Sequence, residues 1–92
     1  MALKEVKLDN GFECVIDDDL FDDMELVDDL AAAEGENPLK VRDVLNRILG
    51  EKQKKELYEI IRDKETGRVR VEAVSNAIGE IMMKLGEDGK NS

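Results

Sequence analysis

The chain has no histidine and no tryptophan, one cysteine and one proline, and its aromatic residues are Phe12, Phe21 and Tyr58 alone. Without histidine it lacks the commonest general base and metal ligand of neutral pH, so catalysis is not expected and no catalytic, cofactor-binding or metal-ligating residue is assigned. Cys14 cannot close an intramolecular disulfide and has no histidine to activate it. It reads as a small buried hydrophobe in a reducing compartment. The N-terminus "MALKEVKLDNG" carries no apolar core of about seven residues, and nowhere do about eighteen apolar residues run together. The expectation is a soluble, intracellular protein that neither enters nor spans a membrane.

What is abundant is acid. The 92 residues carry a net charge of -9. Residues 1 to 39 hold 13 acids against Lys4 and Lys7 (-11), and residues 40 to 92 hold 10 acids against 12 bases (+2), which together give -9. An acidic surface repels phosphate backbones, and the bases of the second half are scattered rather than aligned, so nucleic acid is not the expected partner. A protein with a basic surface fits better.

"RDKETGRVRVEAV" has the look of a calcium loop, but the chemistry fails. With Gly67 at loop position 6, Arg62 falls at position 1, Lys64 at 3, Thr66 at 5 and Ala73 at 12, so cations and an alanine stand where carboxylates must be. A polar turn between helices is the reading.

The length suits one small domain, 1 to 86, of mainly α, α+β class. A β-hairpin is expected over 3 to 16, with Asn10-Gly11 as a tight type I′ turn. Its inner face is Val6, Leu8, Phe12, Cys14 and Ile16, and Lys7, Glu13 and Asp17 face water. Four amphipathic helices follow, over about 19–34, 38–49, 51–63 and 71–86. The first has Leu20, Met24, Val27 and Ala31 as its stripe, widened by Phe21 and Leu30. Asp17 to Asp19 cap its start, Gly35 closes it, and Asp22, Asp23, Glu25, Asp28 and Asp29 form a solvated outer face. Asn37 and Pro38 begin the second, which buries Val41, Val44, Leu45 and Ile48 and ends at Gly50. The third turns inward Leu57, Ile60 and Ile61 with Tyr58 at the edge, and its polar face mixes Lys54, Lys55, Glu56 and Glu59. This pair has the outline of a DNA-binding helix-turn-helix, which the acidic total disfavours. The last places Val71, Val74, Ile78, Ile81, Met82 and Leu85 at helical spacing, with Gly79 inside it suggesting close backbone packing. Residues 87 to 92 are expected to be disordered.

Met82 and Met83 are adjacent and cannot both face one core, and methionine adapts to varied partners. Met82, Met83 and Leu85 are therefore the candidate partner-binding residues.

The segments "GFECVID", "LFDDMELVDDLA", "ENPLKVRDVLNRILGEKQKKEL" and "GRVRVEAVSNAIGEIM", in that order, resemble the tail assembly chaperones of long-tailed bacteriophages and of prophages of Gram-positive bacteria. Arg70 stands where proline is common in that family. The resemblance implies a cytoplasmic, non-enzymatic role in the bacterial host and absence from the finished virion. The implied client is the long, hydrophobic tape-measure protein, with the tail-tube protein as a further partner; the apolar surplus at Met82, Met83 and Leu85 adds a second copy of the chain as another candidate. The residues agree with a passive, reversible holder: an acidic helix keeps a complex dispersed, a methionine-bearing helix offers apolar surface, and no ATP motif is present. Two other classes compete. One is a small acidic regulator directed at a host protein. The other is an acyl-carrier-like helical module, which needs a serine at the start of its second helix where this chain has Asn37-Pro38-Leu39.

Overall fold

Two strands come first because period-two alternation and a glycine turn both favour a hairpin. In a computed structural model that describes residues 2–33 and 37–90, with side chains through residue 86, β1 (Leu3–Lys7) and β2 (Glu13–Asp17) pair antiparallel from Leu3↔Asp17 to Lys7↔Glu13. All five residues of the expected inner face are buried. The turn differs from the tight two-residue form. Gly11 N–H donates to Leu8 O (3.0 Å) and Leu8 N–H to Phe12 O (2.8 Å). The loop is thus the three residues Asp9, Asn10 and Gly11, with Gly11 at φ 96° in the position that demands glycine. Asn10 Oδ1 accepts from Phe12 N–H (2.9 Å) and locks it. On the far edge of β2, Gln53 accepts from Val15 N–H (2.8 Å) and donates to Val15 O (3.0 Å), so one side chain of the helical layer caps that strand.

The expected first helix is divided. Asp17 caps a 3-10 turn, Asp18–Phe21, by accepting from Asp19 N–H (3.0 Å). Asp23 then accepts from Glu25 N–H (2.9 Å) and α1 (Met24–Ala33) begins after it. Short acidic side chains bond their own backbone, so a second aspartate inside the run restarts the helix. The expected stripe is also turned: Met24, Val27 and Ala31 are exposed, while Leu26 and Ala33 are buried and Leu30 half-buried between them. Positions 26, 30 and 33 form as good a helical row as 20, 24, 27 and 31, and packing chose it. The expected closure at Gly35 lies outside the described residues.

Pro38–Ile61 is one helical element, α2, so three helices stand where about four were expected. The break foreseen at Gly50 is nevertheless present, as a kink with φ 76° and ψ 170° at that residue. Asn37 caps the start by accepting from Leu39 N–H (3.1 Å), and Val41, Val44, Leu45 and Ile48 are buried as anticipated. After the kink, Leu57 is buried but Ile60 is 44% exposed, and Lys54 takes the inward position with 7% exposure. The inner row is 50, 54, 57 and 61. Lys54 brings its charge along the edge, with Nζ 3.4 Å from Glu51 Oε1 and 5.9 Å from the centre of the Tyr58 ring.

α3 (Val71–Lys90) buries Val74, Ala77, Ile78, Ile81 and Leu85; Val71, expected inside, is exposed. The helix expected to stop at 86 continues to Lys90, and residues 91 and 92 of the expected tail lie outside the described residues. The most deeply buried large side chains are Phe12, Ile16, Leu26, Leu45, Leu57 and Ile81, so the hairpin face and all three helices meet in one core.

Candidate functional site

The three sequence candidates are not brought together. Leu85 is 9% exposed and belongs to the core, Met82 is half-buried against it, and Met83 is 59% exposed on the opposite edge of α3. A methionine at each of two adjacent helical positions puts one in and one out, as their roughly 100° separation requires.

Met82 instead lines an open groove of about 310 Å³ between α1 and α3, floored by Val41 at the start of α2. Leu30 and Ala33 form the α1 wall; Ser75, Ile78, Gly79 and Met82 form the α3 wall. The groove exists because small residues stand where large ones would close it. Gly79 is exposed, and a Cβ built on it would meet nothing within 4 Å. The close packing expected of this glycine is therefore corrected: it leaves space. The signals in the sequence were the small residues Ala33, Ser75 and Gly79, but their meaning depends on which helix faces which. Ser75 Oγ is buried and has no hydrogen-bond partner among the described residues.

The acids of α1 are less uniformly solvated than their spacing suggested. Arg47 of α2 donates from Nη2 to Asp23 Oδ2 (2.8 Å) and from Nη1 to Asp29 Oδ2 (3.2 Å), and Lys40 Nζ reaches Asp29 Oδ1 at 3.3 Å. These bonds tie α1 and the residue before it to α2. Asp22, Glu25 and Asp28 make no ion pair among the described residues.

The loop at Arg62 to Arg70 is built as a turn. Asp63 Oδ1 accepts from Glu65 N–H (2.8 Å) and Thr66 N–H (3.2 Å), Gly67 N–H donates to Asp63 O (2.8 Å), and Gly67 adopts φ 73°. The carboxylate that a cation would need is occupied by backbone. Among the described residues no three His, Cys, Asp or Glu side chains are grouped to hold a metal ion. Cys14 is buried in the hairpin face, and that burial pushes its thiol up to about 11. No helix of the described residues is long and apolar enough to cross a membrane.

No protein-family model, curated protein or solved structure matches the chain.

Proposed function

We propose that the chain is a passive assembly chaperone that holds an apolar segment of a larger protein, the client being the tape-measure protein of a long-tailed phage. The observation that carries this reading is the groove: a concave apolar surface of Leu30, Val41, Ile78 and Met82 on a molecule of net charge -9. Apolar surface of that shape is used for recognition, and high net charge keeps a chaperone and its client dispersed. The family resemblance names the client, and the chemistry of the chain offers nothing beyond holding: release follows from competition as the tail-tube protein assembles in the host cytoplasm.

The test is co-expression with the tape-measure protein of the same phage. The client is expected to stay soluble and to co-purify with the chain. A client that is equally soluble alone, or that never co-purifies, overturns the reading.

A further inference from the structure

The fold closes one edge of the hairpin and leaves the other open. Ala2 O accepts from Asp18 N–H (2.8 Å) and Leu8 N–H donates to Phe12 O (2.8 Å), so the even-numbered residues along β1 direct their backbone groups to β2. The odd-numbered residues of both strands point theirs outward. On β2 the centre of that edge is closed, because Gln53 bonds both the N–H and the carbonyl of Val15. On the β1 side closure is confined to the loop, where Glu80 Oε2 accepts from Asp9 N–H (2.8 Å). The outward N–H and carbonyl groups of Leu3, Glu5 and Lys7 have no hydrogen-bond partner among the described residues, and all three residues are exposed.

An open row of backbone donors and acceptors is a template for another strand. The charges of β1 decide which strand fits. Its sequence is Leu3-Lys4-Glu5-Val6-Lys7, and Glu5 and Lys7 stand on the solvent-facing side of the sheet. When a second copy of β1 runs antiparallel to the first about a two-fold axis at Val6, Glu5 lies directly opposite Lys7 of the second copy, and symmetry repeats the pair. The residues that exchange backbone bonds in this register are the odd-numbered ones, the set left open. Neighbouring registers fail on charge. An axis at Lys4, at Glu5 or at Lys7 sets that residue against its own copy, and like charges directly opposite each other are destabilising. The register at Val6 also prolongs a charge row that already exists. Lys7 Nζ is 3.5 Å from Glu13 Oε1 across the hairpin, so Glu13, Lys7 and Glu5 of the second copy alternate in sign.

We propose that the open edge of β1 pairs antiparallel with β1 of a second copy, centred on Val6, so that the two hairpins form one sheet whose register is set by Glu5 and Lys7. The contact is an edge rather than a face and each molecule carries -9, so the dimer is weak, with a dissociation constant of about 0.1 mM. It does not depend on the holding role proposed above.

The experiment follows the full chain by sedimentation and by amide hydrogen exchange from about 10 μM to about 1 mM. The sedimenting mass should rise toward that of a dimer, and exchange at Glu5 and Lys7 should slow about fivefold over that range. Glu5→Lys changes the net charge from -9 to -7 (one acid lost, one base gained) and so relieves general repulsion. It nevertheless sets lysine against Lys7 and should weaken self-association about tenfold. Lys7→Glu should do the same by setting glutamate against Glu5. An equimolar mixture of the two variants should associate at least as tightly as the parent, because the lysines of one then face the glutamates of the other at both positions. Both side chains are exposed, so dilute Glu5→Lys should melt with the parent.

A parent chain that stays monomeric at about 1 mM, or whose exchange at Glu5 and Lys7 ignores concentration, overturns the proposal. So does a mixture that associates no better than either variant alone. A dimer that both variants leave intact also overturns it, because the contact then lies on another surface.

Discussion

Cys14 shows how one buried atom links stability to pH. Its thiol ionises near 9.0 when free and near 11 in the folded hairpin, because burial disfavours the thiolate. The native state therefore holds its proton through that interval while the unfolded state loses it. Stability is fully present below about pH 9 and declines as pH rises toward 11, by about 3 kcal/mol in all. Cys14→Val removes the group, so denaturation curves of the two proteins should diverge between those pH values; parallel decline would show that other groups are responsible. In the same core, Leu45 has no exposed surface. Leu45→Ala should cost about 2 to 5 kcal/mol, enough to unfold most of a domain whose whole stability is about 5 to 15 kcal/mol. Thermal melting reads it, and a loss under about 1 kcal/mol would mean the site is not packed.

Two glycines, in α2 and α3, make opposite contributions to their elements. Gly50 sits at φ 76° and ψ 170°, a region closed to side chains, and it is what lets α2 bend so that Gln53 reaches β2 and Leu57 reaches the core. Gly50→Ala should cost on the order of 1 to 3 kcal/mol although a Cβ there touches nothing. Gly79 has ordinary helical backbone and open space before it, so Gly79→Ala should stabilise by about 0.5 to 1 kcal/mol. Urea denaturation midpoints of the pair should therefore move in opposite directions. A loss at Gly79 would mean that the helix meets a neighbour there and that the groove is closed.

For the molecule as a whole, the acidic segment is packed on the core through Leu26, Leu30 and Ala33 and is also tied to α2 by Arg47. Its guanidinium spans Asp23 and Asp29, and Lys40 shares Asp29, so four charged side chains from α2 and the α1 region close one network. These groups are partly exposed, which limits each pair to about 0 to 1 kcal/mol. Arg47→Met, which keeps the apolar stem, should thus cost about 1 kcal/mol at low salt and less as salt screens the network. The difference in melting temperature between the parent and the variant, followed against salt concentration, should narrow; a constant difference would assign the effect to packing.

The sequence by itself determined the local structure: the hairpin and its inner face, the cap at Asn37 and Pro38, the break at Gly50 and the row Val41, Val44, Leu45 and Ile48. Each rests on interactions within a few residues, and spacing records those. It also spoke for the polar turn, since the residues from Arg62 to Ala73 lack the ligands of a calcium loop. Only the tertiary structure decided which of two adjacent apolar rows turned inward. Met24, Val27 and Ala31 lost to Leu26 and Ala33 beside the expected Leu30, and Ile60 lost to Lys54. Rows about 100° apart on a helix are nearly equal in hydrophobic content, so the choice falls to what packs across from them, which is a contact between residues distant in sequence. The groove belongs to the same class: Ala33, Val41 and Gly79 are small or unremarkable alone, and they form a site because two helices leave the space between them unfilled.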